Sequence, residues 1–394
     1  MELLEVKGFK AAGITAGIKK KGKKDLGLIV SQVPANAAGV FTRNKVQAAP
    51  VILSRERVKS GVCQAIIVNS GNANCCTGGA GMRAAETMAR LAASGLGISE
   101  DMVLVASTGV IGEPLPIEKI EAAVPELIDT LSIQGFADLA ESIMTTDTVT
   151  KIASGQGNIG GQKFTVTGVV KGAGMIRPDL ATMLCFVCSD VKATSQVLKE
   201  ALVDAVDRSF NRITIDGDTS TNDTVLVMAN GLSGAVIQSP DDKNRFQNVL
   251  DAILLDLAKQ LIRDGEGATK LVEILVRGAA TDEDARKCAD TIAHSPLVKT
   301  AFFGQDANWG RIIAAAGRAD AFVDPDKIDV YFDKIQMVKG GMGCGKAVEA
   351  EATKVLQKKE FCVTVDLNIA NGAAAVLTCD FSVDYVRINA DYRS

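Results

Sequence analysis

Short β-rich apolar runs alternate with helical patterns along most of the chain, and this alternation limits the folds that it can adopt. The β-rich runs lie at 26–30, 64–68, 102–106 and 163–170. Helical spacing of apolar residues covers 82–95, 117–131, 195–210, 244–263 and 282–294. Strands that alternate with helices of this length favour sheets covered by helices. The sequence therefore predicts a mixed α/β fold.

A polar stretch near the C-terminal third is the best candidate for a domain boundary. AATDEDARK, at 279–287, follows an apolar strand-like run and is rich in charge. Such a change in composition is typical of a connection between domains. We expect a catalytic core over 1–278 and a smaller α/β domain over 279–394.

The charge balance argues against two classes of partner. The 394 residues carry 43 Lys and Arg against 47 Asp and Glu, a net charge of −4, so neither nucleic acid nor an anionic membrane is an expected partner. No apolar run approaches the 18 residues of a membrane span, and the first residues lack an apolar signal segment. The nine cysteines, an odd number, fit reduced thiols. We expect a cytoplasmic protein that acts on a small molecule.

Histidine is nearly absent, which restricts the available chemistry. His294 is the single histidine, and it lies at the end of a helical pattern, before Ser295-Pro296. A histidine at a helix C-terminus interacts favourably with the helix dipole, so a structural role is expected. An acid–base mechanism must then work without imidazole.

Two glycine-rich motifs partly match nucleotide-binding loops. GQGNIG, at 155–160, matches GxGxxG, but the following residues alternate as in a strand, which favours a hairpin turn over a helix N-terminus. GGMGCGKA, at 340–347, is one residue from a P-loop, and Ala347 replaces the hydroxyl residue that would bind Mg²⁺. A nucleotide-binding module built on 340–346 remains an alternative function.

Cys185 and Cys188 form a CxxC pair inside an apolar, strand-like run. Residues three apart on a strand face opposite sides of the sheet, so the two thiols are not expected to share a metal ion. We expect both cysteines to be small buried apolar residues.

The segment IDGDTSTNDT, at 215–224, combines three aspartates with hydroxyl residues and Asn222. Oxygen groups in this density suit a divalent cation, but the offsets of a calcium loop are missing. Asp216, Asp218 and Asp223 fit better in a loop whose side chains bond to its own backbone and shape a cleft. We therefore expect no metal site.

Two small, polar, glycine-rich loops follow strand-like runs, at 69–81 (NSGNANCCTGGAG) and 106–116 (ASTGVIGEPLP). Backbone N–H groups at such strand ends can face a ligand. Thr108 and Gly109 are therefore candidates for donors to an oxyanion, although an ordinary turn explains either loop alone.

Eleven motifs in order resemble the ornithine acetyltransferase (glutamate N-acetyltransferase) family of arginine biosynthesis over essentially the whole chain. They are GFKAAGITAGIK (8–19), NSGNAN (69–74), STGVIG (107–112), MTTDT (144–148), KGAGMI (171–176), ATML (181–184), DGDTSTNDT (216–224), GEGATK (265–270), SPLVKTA (295–301), DANWGR (306–311) and INADYRS (388–394). The resemblance implies a layered αββα core with a smaller C-terminal α/β domain. It also implies a heterotetramer of two α and two β chains.

The resemblance implies that Thr182 is a nucleophile released by self-cleavage of the Ala181–Thr182 bond, which gives an α chain of 1–181 and a β chain of 182–394. Cleavage would leave Thr182 with a hydroxyl and a free amine. An α-amino group has a reference pKa of about 7.7–8.0 and can act as the base that histidine would otherwise supply. Thr108 and Gly109 would form the oxyanion hole.

The amino-acid site that the resemblance implies consists of Thr148, Lys171, Thr182, Glu266, Asn389 and Ser394. Lys171 suits a carboxylate and Glu266 suits the ornithine ammonium. Asn389 and Ser394 imply that the C-terminal tail returns to the active site. The implied reaction is ping-pong: N2-acetyl-L-ornithine acetylates Thr182, ornithine leaves, and L-glutamate accepts the acetyl group.

No cofactor is expected, and acetyl-CoA is an alternative donor in some members of the family. We expect this chain to use it poorly, because no cluster of Arg and Lys for the phosphates is evident apart from KKKGKKD at 19–25. The alternative function closest in chemistry is an amidase or aminopeptidase with the same threonine, in which water accepts the acyl group.

Overall fold

The computed structural model describes residues 4–177 and 183–391, which form two compact units. The first takes the described residues of Met1–Asn211 and Asp218–Leu261, and the second those of Arg212–Gly217 and Ile262–Ser394. Ala181, Thr182 and Ser394 lie outside the described residues. The predicted boundary after residue 278 falls within the second unit.

The strands of the described residues are, in chain order, β1 (Phe9–Ile14), β2 (Leu26–Phe41), β3 (Val62–Asn72), β4 (Val103–Val110), β5 (Lys151–Ile159), β6 (Gln162–Lys171), β7 (Leu184–Ser189), β8 (Ile213–Thr214), β9 (Thr224–Ala229), β10 (Leu271–Ala279), β11 (Asp329–Phe332), β12 (Ile335–Lys339), β13 (Met342–Gly343), β14 (Glu360–Asp366) and β15 (Gly372–Cys379).

The α-helices of the same residues are α1 (Ala49–Arg57), α2 (Gly78–Leu96), α3 (Ile117–Asp129), α4 (Phe136–Ile143), α5 (Ser195–Arg208), α6 (Pro240–Arg263), α7 (Asp282–Ala293), α8 (Pro296–Phe303), α9 (Trp309–Gly317), α10 (Lys346–Leu356) and α11 (Val383–Ala390). None of the helices in 4–177 and 183–391 combines the length and apolar character that a membrane span requires.

The first unit is built on a mixed sheet in the order β4-β3-β2-β9-β7-β6-β5, with β1 paired to β2. The long strand β2 changes partner along its length: residues 26–30 pair with β3, and residues 36–41 pair with β9. The register shifts between Val30 and Ala35, in a stretch that contains Pro34, which cannot donate to a ladder. This shift lets one strand join the two halves of the sheet.

Alternate residues of the central strands fall into two apolar clusters, one on each face of the first sheet. Ile67 and Val105 pack in the cluster that contains α2 and α3, whereas Ile66 and Leu104 pack in the cluster that contains α4. Strands covered on both faces are apolar at every position, which explains the unbroken runs in the sequence.

The second unit contains a sheet in the order β13-β12-β11-β14-β10-β15-β8. Its apolar core joins β10, β14 and β15 to residues of α7, α9 and α10. The predicted α/β class is confirmed. Two helix-bearing sheets are consistent with the layered αββα core that the resemblance implies.

Candidate active site

The predicted oxyanion residues lie where the neighbouring parallel strands β3 and β4 end. Ser70 pairs with Thr108, and Gly71 pairs with Gly109. Gly109 has a φ of 133°, and a Cβ there would lie 2.3 Å from the carbonyl carbon of Gly71. Only glycine fits this position without strain. The backbone of Gly109 is therefore held against the adjacent strand end.

A buried network of amides and hydroxyls fixes these strand ends. The Ser107 hydroxyl donates to Asn69 Oδ1 at 2.6 Å, and Asn69 Nδ2 donates to the Asn72 carbonyl at 2.9 Å. Asn222 Nδ2 donates to the carbonyls of Ala73 (2.7 Å) and Ser107 (2.8 Å), so the 215–224 loop braces both strands. Buried polar networks with satisfied partners rigidify a site. Asn222 thus fixes the two strand ends relative to each other, and the cleft-shaping role of the loop stays a prediction.

Lys171 extends from the end of β6 to the oxyanion strand. Its buried Nζ donates to Thr145 Oγ1 at 2.6 Å and to Thr108 Oγ1 at 3.4 Å. Lys171 is therefore in direct contact with Thr108. Thr148, the residue directly after Asp147, is exposed.

Asp147 lies between two buried lysines. Its Oδ1 is 2.7 Å from Lys151 Nζ and accepts the Gly172 amide at 2.7 Å, and its Oδ2 is 4.0 Å from Lys171 Nζ. Burial alone would raise the pKa of Asp147, but the charges of Lys171 and Lys151 outweigh it and hold that pKa well below the usual range. The carboxylate therefore balances the charges of both buried ammonium groups. The sequence analysis missed this residue.

Asp223 is hydrogen-bonded to Met183, the first described residue after Thr182. Its Oδ1 accepts the Met183 amide at 3.0 Å, and the next residue, Thr224, donates its amide to the Met183 carbonyl at 3.1 Å. Among residues 4–177 and 183–391, no hydrogen bond of good geometry reaches its buried Oδ2. Burial raises the pKa of Asp223 well above the usual range, against the opposing effect of the Met183 amide. The neutral acid is therefore favoured in the fold.

Asp223→Asn is expected to change stability in a pH-dependent way. Because the pKa of Asp223 is raised by folding, its contribution is complete below the unfolded pKa of about 3.9 and is lost as pH rises towards the folded pKa. Asn cannot ionise, so the variant should gain stability relative to the wild type as pH rises from 4 to 8. Urea unfolding of both proteins across this range measures the difference. A difference that is constant with pH would contradict the raised pKa.

Two predicted substrate residues of the second unit are in contact with each other. Glu266 is buried, and its Oε2 accepts Asn389 Nδ2 at 2.8 Å. Asn389 belongs to α11, where its Nδ2 also donates to the Tyr385 carbonyl at 3.0 Å. Gly267 has a φ of +68°, and a Cβ there would lie 2.5 Å from the Tyr385 amide nitrogen, so α11 packs closely beside Glu266.

The structure brings together Thr108, Gly109 and Lys171 in the first unit, and Glu266 with Asn389 in the second. Thr182 and Ser394, like Ala181, lie outside the described residues. His294 is half-buried in the second unit, where Nε2 is 3.0 Å from Thr214 Oγ1 and Nδ1 is 2.6 Å from the Asp290 carbonyl oxygen.

The two glycine motifs do not form phosphate loops. β5 and β6 form a hairpin that turns at Gly160 and Gly161, so most of GQGNIG belongs to β5 rather than to the turn. Residues 340–346 are divided between the β12–β13 hairpin and the start of α10. A P-loop requires one strand–loop–helix connection, which this hairpin interrupts.

Cys185 and Cys188 are both fully buried in β7, as predicted. Cys188 belongs to the apolar cluster on one face of the first sheet, and Cys185 does not. Burial raises the pKa of both thiols. They are therefore buried apolar residues.

A cavity of about 850 Å³ in the first unit lies along the second half of β2, and no predicted site residue lines it. Two of the cationic side chains that line it donate to backbone carbonyls. Lys199 Nζ donates to the Gly39 carbonyl at 2.5 Å, and Arg55 donates to the Thr42 carbonyl at 3.0 Å. These contacts tie α1 and α5 to β2.

Comparison with known proteins identifies the family of the chain. A model of the ArgJ family matches residues 10–394. The "Arginine biosynthesis bifunctional protein ArgJ" of Geobacter sulfurreducens is 51% identical over 99% of this chain and 100% of its own length. That of Syntrophotalea carbinolica is 52% identical over the full length of both. A crystal structure of the Bacillus halodurans protein of the same name covers 51% of this chain and 95% of its own, with 45% identity and a TM-score of 0.49. The chain belongs to the ArgJ family.

Proposed function

We propose that this protein transfers the acetyl group of N2-acetyl-L-ornithine to L-glutamate through acetyl-Thr182, after cleavage of its own Ala181–Thr182 bond. The contact of Lys171 with Thr108 is the observation that carries the proposal, because it joins a carboxylate-binding group to an oxyanion donor. Membership in the ArgJ family, whose relatives are named for arginine biosynthesis, supports the same reaction.

Cleavage begins when the Thr182 hydroxyl attacks the Ala181 carbonyl carbon. The C–N bond breaks, the amine receives a proton, and an ester joins Ala181 to the Thr182 oxygen. Water then hydrolyses the ester, which leaves a carboxylate on Ala181 and a free amine on Thr182. That amine can accept the hydroxyl proton during acetyl transfer, in a chain whose only histidine makes contacts within the second unit.

Thr108 is suited to stabilise the oxyanion of both reactions. Because Lys171 Nζ donates to Thr108 Oγ1, that oxygen acts as an acceptor towards the lysine, and its own O–H proton remains available for another acceptor. The charge of Lys171 also strengthens Thr108 as a donor. Together with the Gly109 amide, the hydroxyl would supply the pair of donors that a tetrahedral intermediate requires.

In the proposed cycle, Lys171 binds the α-carboxylate of each amino acid, and Glu266 binds the side-chain ammonium of ornithine. Asn389 orients Glu266 through the hydrogen bond between them. Thr148 and Ser394 complete the proposed amino-acid site. The cut chains would assemble as a heterotetramer of two α and two β chains in the cytoplasm, with no cofactor bound.

The test of this proposal is a pair of half-reactions with the purified protein. N2-acetyl-L-ornithine alone should release one ornithine per active site and leave an acetyl group on Thr182, detected by peptide mass spectrometry. Added L-glutamate should then remove that group as N-acetyl-L-glutamate. Release of acetate instead would support an amidase, and failure of both steps would refute the proposal.

The donor preference is a separate prediction. We expect kcat/KM for transfer to glutamate to be higher with N2-acetyl-L-ornithine than with acetyl-CoA, because Lys171 and Glu266 recognise a compact amino acid by its charges. The relatives are named bifunctional, which supports a second activity, and we propose acetyl-CoA as its donor. Assays with each donor at the same glutamate concentration measure the ratio. Equal values would contradict the preference and would leave the threonine mechanism in place.

A further inference from the structure

A second lysine lies at the same strand ends as the oxyanion residues. The side chain of Lys19 packs against Gly71, where a Cβ would lie 2.9 Å from Lys19 Cγ. Gly71 is the direct partner of Gly109 in the parallel ladder. Lys19 therefore packs against the strand partner of Gly109, a residue of the proposed oxyanion hole. The absence of a side chain at Gly71 leaves the space that the Lys19 side chain occupies.

The ammonium groups of Lys19 and Lys171 both donate hydrogen bonds to the segment 142–145. Its Nζ donates to the carbonyls of Lys24 (2.8 Å) and Ser142 (3.4 Å). The Ser142 carbonyl also accepts the hydroxyl of Ser70, the ladder partner of Thr108. Thr145, three residues after Ser142, accepts a hydrogen bond from Lys171 Nζ through its Oγ1. The two lysines therefore converge on one short segment beside Thr108.

Lys19 is a half-buried cation with no carboxylate within ion-pairing distance among residues 4–177 and 183–391. The nearby Asp25 is fully buried, and its oxygens accept three backbone amides, including that of Lys19 at 2.8 Å. A partly desolvated charge that lacks a counter-charge is costly, unless a ligand supplies one. An anionic group bound beside Lys19 would meet this requirement.

The proposed reaction presents a recognition problem that such a cation would solve. Ornithine and glutamate share an α-carboxylate but carry side chains of opposite charge. Lys171 suits the shared group and Glu266 suits the ornithine ammonium, but the γ-carboxylate of glutamate needs a cation of its own.

We propose that Lys19 binds the γ-carboxylate of glutamate while Lys171 binds its α-carboxylate, so that Lys19 selects the acceptor. This inference rests on the proposed function. It makes Lys19 a specificity residue for a dicarboxylic amino acid and assigns it no part in the acetylation of Thr182.

The substitution Lys19→Gln is expected to affect the transfer to glutamate and to leave the acetylation of Thr182 almost unchanged. Acetylation by N2-acetyl-L-ornithine should stay within about two-fold of the wild type, whereas KM for glutamate should rise about 10- to 100-fold with a small change in kcat. Glutamine, which lacks the γ-charge, should react equally with the variant and the wild type. Lys19→Arg should restore part of the glutamate affinity. Lys10→Gln, which removes an exposed lysine of β1, is the matched control.

An unchanged KM for glutamate in Lys19→Gln would overturn the inference. Equal rises in KM for glutamate and glutamine would do so too, because they would indicate a structural role. If the wild type forms no acetyl-enzyme from N2-acetyl-L-ornithine, the proposed function fails and this inference fails with it. Normal acetylation with unaltered acceptor preference refutes the role of Lys19 alone.

The pH dependence of dicarboxylate binding gives an independent measurement. Burial lowers the pKa of Lys19 to about 8, with Lys171 and Lys23 acting in the same direction and Asp25 and Asp147 opposing it. Inhibition by glutarate, which has two carboxylates and no amine, should therefore weaken above pH 8 as Lys19 loses its charge. Lys19→Gln should remove this dependence. A wild-type profile that is flat from pH 7 to 9 would contradict the proposal.

Discussion

Replacement of Thr182 by alanine is expected to leave one uncut chain and to abolish acetyl transfer. The variant has neither the hydroxyl that would attack the Ala181 carbonyl nor the one that would carry the acetyl group. Loss of a nucleophile from such a unit typically lowers kcat by about 10⁴-fold or more. Intact-mass analysis should find two chains in the wild type, with Thr182 as a new N-terminus, and one chain in the variant.

Thr182→Ser is the matched control for this experiment. Serine keeps the hydroxyl and, after cleavage, the free amine, so the variant should still be cut and should keep measurable transfer. A wild-type preparation that is fully active and uncut would refute the mechanism, because an internal Thr182 has no free amine to act as base. Cleavage in Thr182→Ala would refute it as well.

The second large effect is expected for Asp147→Asn. This change removes the carboxylate that Lys151 and Lys171 share, in a region where Asp147 and Lys151 side chains are fully buried. Breaking a buried ion pair by removing one partner typically costs about 3–5 kcal/mol in the free energy of unfolding. Denaturant unfolding should show a loss of this size. A change below about 1 kcal/mol would indicate that the pair contributes no more than a surface one.

Asp138→Asn supplies the comparison, because Asp138 pairs with Lys24 at 2.5 Å on the exposed surface. Exposed pairs contribute about 0–1 kcal/mol, so the free energy of unfolding of this variant should be close to that of the wild type.

The lowered pKa of Asp147 also predicts the direction in which stability changes with pH. Its lowered pKa stabilises the fold above the unfolded value of about 3.9, and this contribution is lost as pH falls towards the folded value. Asp147→Asn should therefore lose less stability on acidification than the wild type.

Local patterns predicted five of the eleven α-helices that the described residues contain, and fewer than half of the strands. The helix predicted at 282–294 is observed at Asp282–Ala293, since Thr281 caps it by accepting the Asp284 amide and Ser295-Pro296 follows it. The helix predicted at 244–263 begins earlier, at Pro240, a residue that suits the first position of a helix. Helix α1 was missed because its sequence, APVILSRER, has only a weak apolar periodicity.

The candidate site was predictable in part. The glycine-rich strand ends indicated Thr108 and Gly109, and a family resemblance indicated Lys171, Glu266 and Asn389. Nothing in the sequence indicated that Asp147 accepts the Gly172 amide, 25 residues away, or that Asp223 accepts the Met183 amide, 40 residues away. Such contacts depend on which strands become neighbours, and a single sequence does not specify strand order.

The strand order of the first sheet bears on what becomes of the enzyme after the proposed cut. Strands β7 and β9 of the future β chain lie between β2 and β6 of the future α chain, with backbone ladders on both sides. The two products would therefore stay interleaved and could separate only by unfolding the sheet. The cut would also divide the chain between β6 and β7, so refolding would have to bring separate molecules together. We expect the mature enzyme to persist through slow unfolding and to recover poorly from denaturant, whereas the uncut precursor refolds as one chain.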